Sequence, residues 1–272
     1  MDPVGDSVTD ERLPVTLCVS VRNAARVLPD CVASCADWVS EIVVVDMESD
    51  DDTVAVARRL GARVIEVPSA GFAEPGRQHG IDAATQPWVL VLDADERAAS
   101  GVHDLVGRYV EREDLAGVFL PRQNYIFGRW IRHSGYWPDH KMRLFRPEAT
   151  DWPPYVHTQA SIDGRTEKAP ASPEVAIVHH NYATVREWVE RNNGYTDLEV
   201  DRFLAIGRRA SLIRLLLAPP ARFLNTYVRH QGFRDGFRGF AIAVLMGFYG
   251  AIVELKLWER QRGGGAEVHG TG

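Results

Sequence analysis

The chain predicts an α/β fold, a Rossmann-like and mostly parallel central sheet flanked by helices, with a helical C-terminal extension. Three observations predict it. Short apolar runs at Thr16 to Val21, Glu41 to Val45, Arg63 to Val67 and Trp88 to Leu92 alternate with segments of helical spacing, the pattern of successive βαβ units. The second and fourth runs end abruptly in carboxylates, Asp46 and Asp93-Ala94-Asp95-Glu96, where folds of this class bind their ligands. From Val185 onward the chain reads as mainly helical.

The elements follow in order. Thr16 to Val21 is the first strand, and Ala24 to Val39 has helical spacing. After the second strand, Asp52 or Thr53 can cap a helix over Val54 to Leu60, with Gly61 as its stop. Arg63 to Val67 is the third strand. Pro75-Gly76 opens a segment from Arg77 to Thr85, before the buried strand that ends at Asp93. The pattern then changes. Gly117 to Tyr125 and Lys141 to Phe145 read as strands around an aromatic loop, Phe127 to Pro138, and Val156 to Ile162 as a further strand. Pro170 and Pro173 mark a linker. The expected organisation is a polar tail over 1–12, a catalytic domain over 13–182 with halves at 13–100 and 101–182, a helical region over 183–262, and a tail over 263–272.

Composition narrows the class. The 272 residues are 45% apolar, ordinary for a globular chain and against global disorder. A net charge of -6 gives no reason to expect nucleic acid as the partner. Cys18, Cys31 and Cys35 form no disulfide framework, which points to a reducing, cytoplasmic setting. Cys31 and Cys35 are two ligands at most and read as buried thiols, not a zinc site. No leader segment is expected from the polar, acidic N-terminus. The longest apolar stretch, Phe240 to Val253, has 14 residues, against the roughly 20 that a spanning helix needs.

The acids carry the chemistry. Three carboxylates within four residues, Asp93, Asp95 and Glu96, are costly to bury without partners. An Asp-x-Asp at a strand end can hold a divalent metal against a diphosphate. Asp46, Glu48, Asp50, Asp51 and Asp52 crowd the second strand's end. A calcium loop starting at Asp46 fails, because its sixth residue is Asp51 and its twelfth is Ala57. The later acids suit a helix N-terminus, whereas Asp46 and Glu48 are placed to accept hydrogen bonds from a ligand. No Walker loop or G-x-G-x-x-G follows the first strand, which disfavours ATPase and dinucleotide readings.

An ordered set of segments extends these signals: Val19 to Asn23, Glu41 to Asp46 through Asp52-Thr53, Gly61-Ala62, Trp88 to Glu96, Gly128-Arg129, Gly135 to Asp139, Arg143 to Phe145, Val156-His157, His180 to Tyr182 and Gly232 to Gly236. In these the chain resembles the family 2 glycosyltransferases of the GT-A fold, nearest the lipopolysaccharide-core β-1,4-glucosyltransferase branch, from about Leu13 to Trp258. The resemblance implies an inverting transfer from a nucleotide-sugar donor, a UDP-sugar, with Mg²⁺ or Mn²⁺. It also implies that Asp46 reads the base, that Arg77 holds the nucleotide, and that Asp93 faces the ribose. Asp95 would bind the metal beside Asp93, with His180 completing the site or serving as a hydrogen-bonded structural histidine. The branch commonly shows Val-His-Glu, with the glutamate as base. Here Val156-His157-Thr158 stands instead, which leaves Asp139 and His157 as candidates to take the acceptor's proton.

Two further features bear on the acceptor. Tyr125, Phe127, Trp130, Tyr136 and Trp137 can stack on a sugar or a lipid-linked acceptor, or belong to the core. Between Arg202 and Arg238 there are eight arginines and one acid, Asp235, beside the apolar runs Leu212 to Leu217 and Phe240 to Val253. Such a segment fits an anionic membrane surface, peripheral on the inner face, and equally a solvated face over a core. The expected function is a metal-dependent transfer to a lipid-linked or cell-envelope glycan. A soluble enzyme acting on a peptide or small metabolite, and an inactive nucleotide-sugar-binding protein, are the alternatives.

Overall fold

The structure, a computed structural model, describes residues 12–69, 74–153 and 160–263. The first strands are β1 (Leu13–Val21), β2 (Val39–Asp46), β3 (Arg63–Glu66) and β4 (Trp88–Asp93), joined through helices α1 (Leu28–Ala33), α2 (Thr53–Arg59) and α3 (Glu74–Ala83). They are followed by β5 (Glu96–Ala98), α4 (Val102–Val110), β6 (Gly117–Ile126), β7 (Arg129–Trp130), β8 (Asp139–Phe145), β9 (Thr150–Asp151), β10 (Ser161–Ile162), β11 (Thr166–Lys168) and β12 (Ile177–Tyr182). The main sheet has the order β3-β2-β1-β4-β8-β6-β12-β5, with β7 and β11 also paired to β6. β1 pairs in parallel with both β2 and β4, while β8 runs antiparallel to β4 and to β6. The predicted parallel sheet is therefore the first half of a mixed one.

Strand pleating explains why the apolar runs form buried strands. Successive side chains point to opposite faces. Leu17, Val19, Val44, Leu90 and Leu92 pack on one side with Leu28, Cys31, Val102, Leu105 and Val106. Cys18, Val43, Val45, Val89 and Val91 pack on the other with Ile81. Covered on both faces, these strands need apolar residues at every position, not at alternate ones.

Several local expectations are corrected. The helix read over Ala24 to Val39 is only α1. Thr53 Oγ1 and Asp51 Oδ2 accept from the amides of Ala24 (2.8 Å) and Ala25 (3.2 Å), which holds the entry as a loop, and Pro29 sits in the first helical turn. Asp52 occupies the cap position of α2 but makes no side-chain bond there. Asp51 instead accepts from the Thr53 amide at 2.9 Å. The segment after Pro173 is no simple linker, since it re-enters the sheet as β12. Helix α4 and the short strand β5 went unread.

Helix α3 lies against β1 and β2 through glycines four residues apart. A Cβ at Gly76 would come within 2.9 Å of Met47 Sδ, and one at Gly80 within 2.1 Å of Cys18 Sγ and 3.0 Å of Val45 Cγ2. Gly80→Ala is therefore expected to destabilise. The helix-propensity gain is about 1 kcal/mol, and forcing a methyl into a packed core costs roughly 1–3 kcal/mol and sometimes more. A lowered denaturant midpoint checks this, and an unchanged or raised midpoint would refute the close packing.

By contact the chain divides into two units. One holds the described residues up to Gln123 and those from Asp139 to His179. The other holds Asn124–Pro138 and the described residues from His180 onward. The second unit contains α5 (Val185–Ala205), α6 (Leu212–Leu224) and α7 (Gly236–Gly263). Thr184 Oγ1 caps α5 by accepting from the Glu187 amide at 3.1 Å, while the Glu187 carboxylate accepts from the Ala183 amide at 2.8 Å. This unit's core joins Ile126, Ile131, Tyr182 and Trp188 with Val200, Ile242, Tyr249, Val253 and Leu257. The apolar run over Phe240 to Val253, read as too short to span a bilayer, is part of a longer continuous helix. Among the described residues one helix, Gly232–Arg262, is long and apolar enough to cross a membrane, with 39% of its apolar window buried.

Candidate active site

The sheet order reverses direction at β1. The chain runs outward from β1 to β2 and β3, then returns to the other side of β1 as β4. Such a switch point leaves a crevice at the C-terminal ends of the strands. Register places the acids there. Val21 stands opposite Asp46 and Ser20 opposite Asp93, so the two carboxylates end the strands that flank β1.

Asp46 is buried. Its Oδ2 accepts from the Ser49 amide at 3.0 Å. Its Oδ1 is buried and has no partner among the described residues, and the same holds for Ser20 Oγ on β1. An unpaired buried acceptor costs about 1–3 kcal/mol, so such atoms at a crevice mark where a ligand's donors fit. Nearby, Asn23 and Glu48 take positive φ values of 53° and 57°. The Asp50 amide donates to Asn23 Oδ1 at 2.9 Å, the Asn23 amide to Ser49 Oγ at 2.8 Å, and the Ser69 amide to Glu48 Oε2 at 3.2 Å. These bonds fix the loops that follow β1 and β2.

Asp93 is held differently. Arg77 Nη2 donates to its Oδ1 at 2.6 Å and Arg143 Nη2 to its Oδ2 at 2.8 Å. Arg143 also donates to Glu96 Oε1 at 2.6 Å, and Arg122 Nη1 reaches the same oxygen at 3.3 Å. Glu96 is fully buried, and its Oε2 accepts from the Asp93 amide at 3.0 Å, closing the turn after β4. Arg122 then places Nε at 2.9 Å and Nη2 at 2.7 Å from Asp139 Oδ2, and Lys141 Nζ is 3.1 Å from Asp139 Oδ1. The result is an alternating chain of charges, Arg77, Asp93, Arg143, Glu96, Arg122, Asp139 and Lys141. Burial alone would raise the Asp93 carboxyl, but the Arg143 and Arg77 guanidiniums outweigh it and hold the group well below the usual carboxylate range. Burial likewise opposes the charge on Arg143, and Asp93 and Glu96 together raise its pKa further above its ordinary value.

Asp95 faces His179, whose Nε2 is 3.6 Å from its Oδ1, and its side chain is 20% exposed. His179 reaches it because β12 pairs antiparallel to β5 with His179 opposite Glu96. Neighbouring strand residues face opposite ways. His180, the histidine singled out in the sequence, stacks on Tyr125 with ring centroids 5.4 Å apart. Among the described residues no group of three or more His, Cys, Asp or Glu is arranged to hold a metal. The donor set still fits a hard divalent ion, because Mg²⁺ and its like commonly take one or two carboxylates, several waters and the substrate's phosphates.

Asp139, at the start of β8, is a strand residue paired with Arg122 of β6. His157 lies outside the described residues. Trp130 and Trp137 are half-buried and meet edge to face at 5.2 Å, with the Arg132 guanidinium 4.3 Å from the Trp130 ring. All three cysteines are free and buried, and burial pushes the Cys18 and Cys35 thiols up to about 12. Arg122, Arg143 and His179 carry much of the electrostatics of the site without having been given a role from the sequence. The available signal was the presence of arginines inside otherwise buried strands.

Comparisons with known proteins agree with this architecture. Over 262 residues the chain is 26% identical to the lipopolysaccharide core biosynthesis glycosyltransferase LpsC of Rhizobium meliloti, covering 92% of this chain and 93% of that protein. Its fold is similar to that of the mannosyltransferase PcManGT from Pyrobaculum calidifontis, solved with GDP-Man and Mn²⁺ (TM-score 0.57, 14% identity, 92% and 88% of the two chains). It is also similar to S. aureus TarS 1-349, solved with UDP-GlcNAc (TM-score 0.50, 13% identity, 92% of each chain). These likenesses carry the GT-A fold. The family model for glycosyl transferase family 2 matches residues 16–166. That span holds the switch-point crevice and the full run of alternating charges, and the chain is a glycosyltransferase belonging to family 2.

Proposed function

We propose that the chain moves a glycosyl group, with inversion, from a UDP-sugar to a lipid-linked or cell-envelope glycan. The observation that carries the donor assignment is the buried, unpartnered Asp46 Oδ1 at the end of β2, at the switch-point crevice, which suits the N–H of a pyrimidine base. The LpsC name supports an envelope acceptor, and the UDP-GlcNAc in TarS supports a uridine donor. GDP-Man in PcManGT is the competing donor class.

In this reading Asp46 accepts from the base, and Glu48 stands on the loop beside it. Arg77 and Asp93 act as one ion pair that lines the nucleotide's path, its charges already balanced. Asp95, with His179 beside it, would hold Mg²⁺ or Mn²⁺, which when bound offsets the charge that develops on the departing diphosphate. Asp93, with both oxygens on guanidiniums, fixes the turn that presents Asp95. The acceptor's proton passes to Asp139 or to His157. Arg122 and Lys141 pin the Asp139 carboxylate in one orientation.

The test reads nucleoside diphosphate released from a panel of nucleotide sugars with Mn²⁺. Release from UDP-sugars is expected, and preferential release from GDP-sugars would overturn the donor assignment. Asp139→Asn or His157→Ala is expected to lower turnover by about 10²–10⁴-fold, the usual contribution of a general base. Full activity in both variants removes both candidates.

A further inference from the structure

We propose that α6, the segment after it and the start of α7 form a membrane-interface surface that lies on an anionic lipid bilayer. This inference is independent of the transferase reading. Helix α6 has thirteen residues and none of them is buried. Leu212, Ile213, Leu216 and Leu217 are 61% to 70% exposed, and Leu224 and Val228 further along are exposed too. Residues three and four apart are neighbours on a helix surface, so the first four form one apolar patch on α6. Phe237 at 82% and Phe248 at 61%, both on α7, add exposed aromatic surface within the same unit. Apolar exposure of this extent marks an interaction site.

The way α6 is held explains why its leucines face outward. It rests on α7 through that helix's glycines. A Cβ at Gly247 would stand 3.1 Å from Pro219 O, and one at Gly250 would stand 2.8 Å from Arg222 Cδ. Backbone contact with small residues holds α6 in place without using its leucines. The core of this unit is filled from elsewhere, by Ile242, Tyr249, Val253 and Leu257 of α7 with Trp188 and Val200 of α5.

Charge decides the occupant. Eight arginines and one acid lie between Arg202 and Arg238. That acid, Asp235, is turned inward, accepting from the amides of Arg132 and His133 at 3.1 Å each and from Ser134 Oγ at 2.9 Å. Arg209, Arg214, Arg229 and Arg234 are exposed among the leucines. A second copy seated on this face would oppose guanidinium to guanidinium. A bilayer with anionic headgroups takes up both the leucines and the arginines. A surface position, not a span, fits α7, whose Ile242, Tyr249, Val253 and Leu257 are committed to this unit's core and whose Glu254, just past the apolar run, is buried and ion-paired with Arg208 and Arg214.

The experiment is flotation of the full chain with vesicles of phosphatidylglycerol in phosphatidylcholine, against phosphatidylcholine alone, with sedimentation velocity in parallel. The wild type is expected to be monomeric and to float with the anionic vesicles. Ile213→Glu with Leu217→Glu is expected to keep the wild-type melting temperature, because both side chains are exposed, and to lose at least about tenfold in vesicle partitioning. Arg209→Gln, Arg229→Gln and Arg234→Gln together should lose about a hundredfold at low salt. The proposal is overturned by a wild type that does not float, or by a double-Glu variant that floats as well as wild type. A dimer that the leucine changes dissociate, or resistance of the expressed protein to alkaline carbonate extraction, overturns it equally.

Discussion

Replacing Asp95 by asparagine is expected to lower turnover by about two to three orders of magnitude, the usual loss when one group that stabilises transition-state charge is removed. Asp93 and Glu96 cannot substitute for it. Asp93 carries a guanidinium on each oxygen, and Glu96 is fully buried with Arg143, Arg122 and the Asp93 amide on its carboxylate. Asp95 is 20% exposed, its Oδ1 lying 3.6 Å from His179 Nε2. Thermal stabilisation by UDP provides a separate readout. Binding at about a hundred times Kd adds roughly 2.7 kcal/mol to the folded state, so UDP with Mn²⁺ should raise the melting temperature of the wild type and lose much of that effect in the variant. UDP alone should act on both alike through Asp46. A variant that keeps full turnover and the full metal-dependent shift would exclude Asp95 from the metal site.

Arg143→Met is expected to be the most destabilising single change in the catalytic unit. Methionine keeps most of the volume, so the loss is electrostatic and not a cavity. Removing one member of a buried ion pair costs about 3–5 kcal/mol. The lower end applies here, because Asp93 keeps Arg77 and Glu96 keeps Arg122. For a chain of this size about 3 kcal/mol corresponds to a melting temperature lower by roughly 10 °C. The loss depends on pH with a definite sign. Folding holds the Asp93 carboxyl well below its ordinary range through Arg143 and Arg77 against the effect of burial, whereas in the unfolded chain it returns to about 3.9. The unfolded state then binds the proton more readily, so the stabilisation is complete above about pH 4 and disappears as pH falls through the folded value. Wild type and variant should differ most near neutrality and converge in acid. Urea midpoints from pH 7 down to pH 3 measure this, and a constant gap would mean that Arg143 acts through packing.

Much of the catalytic unit was legible along the chain. The apolar runs β1, β2 and β4 could be read because a strand covered on both faces needs no alternation, and the carboxylates at their ends marked the ligand side. Helix α1 was read too long, since the amides of Ala24 and Ala25 bond to Asp51 and Thr53, about 26 to 29 residues away. Helix α4 was missed although Val102, Leu105, Val106 and Tyr109 carry its apolar stripe.

By itself the sequence determined the βαβ alternation, the family, and the placing of Asp46, Asp93 and Asp95 at the ends of their strands, because hydrophobic periodicity and strand length are local properties. The tertiary structure alone decided which basic side chains meet each of those acids. Arg122 and Arg143 reach Glu96 and Asp93 from antiparallel strands 26 to 50 residues away, and His179 reaches Asp95 only through the pairing of β12 with β5. It decided likewise that the leucines of α6 face outward, since an amphipathic pattern names a face and only packing names what covers it.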